Sequence, residues 1–151
     1  MASTHRDGDN RGDHAADAGE SPEQQLSRQE MLAVFERVSG RAIGSVTEFR
    51  ELTLQVMSRI WSRGRLSMRE RRLITIAVLA ATGAGRELDV HVRSALLAGD
   101  LDIGDLDEAS MQIALYGGWP RGAALQSAIA DAATDPGPAP VDNRRQAQGS
   151  G

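Results

Sequence analysis

Leu73-Ile74-Thr75-Ile76-Ala77-Val78-Leu79-Ala80-Ala81 is the stretch that decides the fold. On a helix it is apolar nearly all round, the mark of a central helix buried by neighbours or by partner subunits. Ser67 with Glu70 supplies a capping box ahead of it, and Gly83 supplies a C-terminal stop behind it. The same box, or its Asp analogue, recurs on either side as Ser27 with Glu30, Ser45 with Glu48, and Asp105 with Glu108. Met31, Leu32, Phe35 and Val38 form one apolar stripe ahead of Gly40, and Phe49, Leu52, Val56, Met57 and Ile60 form the next. A fourth helix is expected from about Arg86 to Ala98 with Gly99 closing it, a fifth from about Leu106 to Tyr116, and a sixth opened by Pro120. No strand pattern competes, so the expected fold class is all-α.

Outside this domain the chain has little to bury. Residues 1–26 read as a disordered acidic tail, and residues 134–151, with Asp135-Pro136-Gly137-Pro138 near their start, read as a second disordered tail rich in Pro and Gly. The folded unit is expected over residues 27–133. The formal net charge of −4 falls almost wholly in the first tail, which leaves a near-neutral domain without the footprint of a nucleic-acid binder. No apolar run approaches the roughly 20 residues of a membrane span, and the acidic, polar start lacks the pattern of a secretory leader. A cytoplasmic protein with no membrane partner is therefore expected. Aromatic residues are only 3% of the chain, and a domain of about 105 residues whose core rests on Leu, Ile, Val, Ala and Met is marginal alone. A homo-oligomer is expected to supply the missing burial.

Composition also removes whole classes of chemistry. The chain has no Cys, which excludes thiolate nucleophiles, redox dithiols and Cys-ligated zinc. All 17 of its basic residues are Arg, so Schiff-base chemistry and the phosphate-loop lysine are excluded too. Arg59, Arg63, Arg65, Arg69, Arg71 and Arg72 crowd one stretch against the single acid Glu70. Such a cluster is either a solvated charged face or a grip for carboxylates, which the planar guanidinium fork suits best. Nucleic acid fits less well, because no aromatic residues are interleaved for stacking. His91 is the one histidine of the helical region, and Glu87 lies one turn before it. The pair is either a structural contact or an oriented imidazole. It supplies two ligands where a zinc site needs about three, so no metal is expected.

Trp61-Ser62-Arg63, Leu66-Ser67, Arg69, Arg71, Leu73 and Thr75-Ile76-Ala77 are followed by Glu87-Leu88, His91, Arg93, Ala95-Leu96 and Gly99. Leu115-Tyr116-Gly117-Gly118-Trp119-Pro120 completes the series. In order and spacing this series resembles the γ-carboxymuconolactone decarboxylase family, over about Ile60 to Ala124. The resemblance implies an AhpD-like helical domain that assembles as a trimer or hexamer. The related alkylhydroperoxidases carry a Cys-x-x-Cys-x-x-x-His motif ending at the position of His91; here the cysteine positions hold Ala84 and Glu87, and the acidic relay position holds Arg72. A thiol peroxidase is thereby excluded.

The resemblance further implies a cofactor-independent decarboxylase, a carboxy-lyase acting on a carboxylated butenolide. Loss of CO2 sends electrons through the ring double bond into the lactone carbonyl, so neither metal nor cofactor is implied. On this reading His91, oriented by Glu87, delivers the proton or supports the oxyanion. Arg63, Arg71 or Arg93 holds the spectator carboxylate, and Trp61, Tyr116 and Trp119 wall the pocket. The chain departs from the family where Ser58-Arg59 replaces Gly-Glu and Gly64-Arg65 replaces Pro-Gly. These changes add positive charge and favour a second reading, a cofactor-free tailoring or isomerising enzyme of secondary metabolism. A third reading is a non-enzymatic oligomeric binding protein whose arginines face a partner.

Overall fold

The computed structural model describes residues 26–44 and 47–135. Most of both tails and the cap residue Ser45 lie outside the described residues. The described residues form six helices and no strand: α1 (Arg28–Ser39), α2 (Glu48–Trp61), α3 (Met68–Thr82), α4 (Gly85–Ala98), α5 (Ile103–Gly117) and α6 (Trp119–Thr134). α6 thus runs one residue past the expected boundary at 133. None of these helices is long and apolar enough to cross a membrane.

The expected signals start and stop most of the helices. Ser27 and Glu30 form a reciprocal capping box on α1, and Ser67 and Glu70 form one on α3. Gly83 ends α3 at φ 78° and Gly99 ends α4 at φ 67°, left-handed conformations that a Cβ would strain. Two starts differ. α2 is capped by Thr47, whose hydroxyl accepts from Arg50 N–H, two residues later than Ser45 would set it. α5 is capped by Asp102, with Asp105 as its reciprocal partner, not by Asp105 itself. Either acid could cap, and burial decides between them: starting at Asp102 puts Leu101 and Leu106 on the two sides of the first turn. Both lie in the main core, as a hydrophobic staple.

That core is drawn wholly from the α3–α6 half. Ile76 and Ala80 of α3, Leu88, Val92 and Ala95 of α4, and residues of α5 and α6 such as Leu106 and Leu125 make one cluster. α1 and α2 pack on each other and reach the bundle through α1 against α4. Ser58 of α2 is fully buried in the α1–α2 seam, donating to the carbonyls of Leu54 and Met31 at 2.6 and 2.9 Å.

The apolar run of α3 is enclosed by this chain on one face. One face, Ile76 and Ala80, is buried, whereas Ile74 and Val78 are about half exposed. Of the apolar stripe of α2, Phe49, Leu52, Val56 and Ile60 are exposed and Met57 is half-buried, and the helix turns Leu54 and Ser58 inward. Both faces are what a single chain leaves uncovered.

Candidate active site

α4 is amphipathic about a core face made by Leu88, Val92 and Ala95. At 100° per residue His91 and Ser94 lie at one edge of that face, and Arg93 lies on the opposite side. The edge with His91 looks toward α1, the start of α3 and the end of α2. Trp61, the last residue of α2, stacks on the imidazole with ring centroids 6.1 Å apart and planes 15° from parallel.

The residue that organises this edge is Arg72, which is fully buried. Its Nε donates to Asp100 Oδ2 at 3.1 Å, and its Nη2 donates to the Arg37 carbonyl at 2.7 Å. Its Nη1 donates to the Val38 carbonyl at 2.8 Å and to Ser94 Oγ at 2.9 Å, and lies 3.3 Å from Nδ1 of His91. The guanidinium carbon also sits 5.4 Å from the centre of the Trp61 ring, in cation–π range. The Arg37 and Val38 carbonyls belong to the last turn of α1, where unpaired carbonyls and the negative end of the helix dipole favour a cation. Arg72 therefore caps α1, anchors α4 and joins the two packing units of the molecule. Asp100 is shared, accepting from Arg37 at 2.5 Å on its other oxygen.

The electrostatics follow from this geometry. Burial pulls the Arg72 guanidinium below its usual pKa, and its bond to Asp100 works against that shift. Burial, reinforced by the Arg72 charge, pushes the His91 imidazole down to about 4, against the weaker upward pull of Glu87. His91 is thus neutral at physiological pH. Glu87 is exposed and acts on the ring through its charge, while the ring nitrogen that has a close partner faces Arg72.

Among the expected site residues, His91 and Trp61 come together. Arg71 reaches back to the Arg63 carbonyl at 2.6 Å, which fixes it beside the α2–α3 turn that follows Trp61. Its Nε is buried with no hydrogen-bond partner, as is Nη1 of Arg93. Arg93 lies 3.8 Å from Asp135, on the side of α4 away from His91. Tyr116 and Trp119 sit at the α5–α6 corner, each 80% exposed. Arg65 and Gly64 stand exposed in the α2–α3 turn.

Arg72, which the sequence places in the arginine cluster and at the acidic relay position but not among the candidate site residues, carries a signal of its burial. Arg72, Ile76 and Ala80 recur at four-residue spacing, so an arginine occupies the buried stripe of α3. A separate cleft of about 430 Å³ opens between α1 and α2, lined by Phe35, Ile43, Phe49 and Thr53 and rimmed by Arg41 and Arg86. His91 does not line it.

The family described as the carboxymuconolactone decarboxylase family matches residues 47–131, which include Trp61, Arg72 and His91. The curated 4-carboxymuconolactone decarboxylase of Acinetobacter baylyi (strain ATCC 33305 / BD413 / ADP1) is 31% identical over 118 residues, covering 75% of this chain and 86% of its own. No solved structure matches the chain.

Proposed function

This chain belongs to the carboxymuconolactone decarboxylase family, and from that membership we propose that it is a cofactor-independent decarboxylase of a carboxylated butenolide of the 4-carboxymuconolactone type. The observation that carries the reading is the Trp61–His91–Arg72 cluster, a neutral imidazole held between an indole and a buried guanidinium.

The substrate brings its own electron sink. Breaking the bond between the ring carbon and its carboxylate releases CO2 and moves the electron pair through the ring double bond to the lactone carbonyl oxygen. The resulting dienolate takes one proton at carbon. The protein must hold the spectator carboxylate, stabilise the oxyanion and exclude water. His91 meets the developing oxyanion. Arg71, with its unpartnered Nε beside the α2–α3 turn, suits the spectator carboxylate. Trp61 covers the imidazole from one side. Glu87 acts through its charge alone and so contributes less than His91.

The protein works as a homo-oligomer of trimer or hexamer type. The exposed stripe Phe49, Leu52, Val56 and Ile60 is what such an assembly covers. A neighbouring copy also supplies the enclosure that a single chain does not give His91.

CO2 release from carboxymuconolactone tests the reading. His91→Ala is expected to lower turnover by roughly 100-fold or more with the oligomer intact, and Glu87→Gln to cost less than about 10-fold. An inactive wild-type protein on that substrate and on related carboxylated lactones overturns the decarboxylase reading.

A further inference from the structure

We propose that Arg72 is a positioning residue: by donating from Nη1 to Nδ1 of His91, it fixes the ring as the neutral Nε2–H tautomer and makes it a hydrogen-bond donor for the reaction's oxyanion. The inference rests on the reading of His91 as the group that meets that oxyanion. It goes further in assigning the tautomer, the residue that sets it, and the role the ring is left with.

The argument is one of donor and acceptor inventory. A guanidinium has five N–H groups and no acceptor. Any hydrogen bond between Arg72 Nη1 and His91 Nδ1, 3.3 Å apart, therefore has the imidazole nitrogen as acceptor. A neutral imidazole that accepts at Nδ1 carries its proton on Nε2. Protonating Nδ1 would set two N–H donors against each other beside a buried cation. The contact thus disfavours the imidazolium form, and in the neutral ring Nε2–H is the one polar hydrogen. A neutral N–H stabilises negative charge on oxygen but is a poor acid toward carbon, so the proton added to the dienolate comes from a group other than His91.

Nη1 has two hydrogens and three neighbouring acceptors. One hydrogen serves the Val38 carbonyl, and the second is shared between Ser94 Oγ and His91 Nδ1. The charged groups around the ring are Arg72 from α3 and Glu87 from α4 itself. Behind Arg72 stand Asp100, after α4, and Arg37, from α1. The face presented by α2 is the uncharged Trp61.

The test reads the tautomer directly. In the full-length protein labelled with 15N-histidine, two-bond 1H–15N correlation spectra report which ring nitrogen carries the proton, and His91→Gln assigns the His91 signal. The wild type is expected to show Nε2–H at His91 from pH 8 down to about pH 5, with no titration near 6.5. Arg72→Met is expected to release the ring into averaged tautomers titrating near the free value, and to add a limb to the pH–rate profile. Ser94→Ala, which removes the competing acceptor, is expected to retain the wild-type tautomer. Three results overturn the proposal: an Nδ1–H or averaged ring in the wild type, an unchanged tautomer in Arg72→Met, or the same release in Ser94→Ala. If Arg72→Met does not fold, the wild-type and Ser94→Ala spectra still decide. The spectra need no substrate, so inactivity on carboxymuconolactone would remove the proposed reaction without touching the tautomer result.

Discussion

Burying Arg72 takes a cation out of water, and the Asp100 carboxylate, itself almost fully covered, is its counterion. Deleting one partner of such a pair strands the other, at a cost of about 3–5 kcal/mol. Arg37 reaches the same carboxylate from a half-exposed position, where an ion pair contributes about 0–1 kcal/mol. Asp100→Asn is therefore expected to destabilise the protein severely, and Arg37→Ala only slightly, as read from denaturant midpoints. His91 adds a pH signature. Because its pKa falls from 6.5 to about 4 on folding, between those values the unfolded chain binds a proton that the folded chain does not. Stability consequently drops as pH falls from 6.5 toward 4, and this contribution stops changing below that. His91→Gln is expected to flatten that part of the melting-temperature curve relative to wild type. A slope shared equally by both proteins would show that other groups cause it. His91 and Trp61 were legible because each residue type stands out in this sequence. The Arg72–Asp100 pair was not, since its members lie 28 residues apart and only tertiary packing brings them together.

At the level of elements, local chemistry was readable wherever a single cap was available and failed where several competed. Ser67 with Glu70 was unambiguous. Asp105 with Glu108 has the spacing of a cap, but Asp102 with Asp105 has the same spacing three residues earlier, and burial of Leu101 and Leu106 selects the earlier pair. The α5–α6 hairpin depends on a position that no periodicity marks. A Cβ on Gly122 would stand 2.7 Å from both the Ser110 carbonyl oxygen and Ala114 Cβ, so the two backbones approach as closely as they do only because Gly122 lacks a side chain. Gly122→Ala is expected to cost about 1–3 kcal/mol by forcing the helices apart. Gly64→Ala, with open space around the added methyl in the α2–α3 turn, is expected to be close to neutral. Melting the two variants side by side checks the contrast, and equal stability would mean that α6 shifts without cost.

At the scale of the whole molecule, the α1–α2 pair is joined to the bundle by the packing of α1 on α4 and by the polar network of Arg72, while the apolar stripe of α2 faces away. Phe49, Leu52, Val56 and Ile60 are 78, 56, 57 and 49% exposed. A face of this kind is stable in water when a partner removes it from solvent, and a second copy of the chain does so without a further component. Val56→Arg places a charge in the middle of the stripe without touching the Arg72 network. It is expected to move the mass measured by light scattering toward that of one chain and to leave the helical circular dichroism intact. It should also abolish the concentration dependence of the melting temperature. Turnover should fall with the loss of assembly, because dissociation opens the site to water while His91 keeps its contacts with Trp61 and Arg72. A wild type that scatters as a monomer at micromolar concentration, or a monomeric Val56→Arg with full turnover, would mean that one chain encloses its substrate unaided.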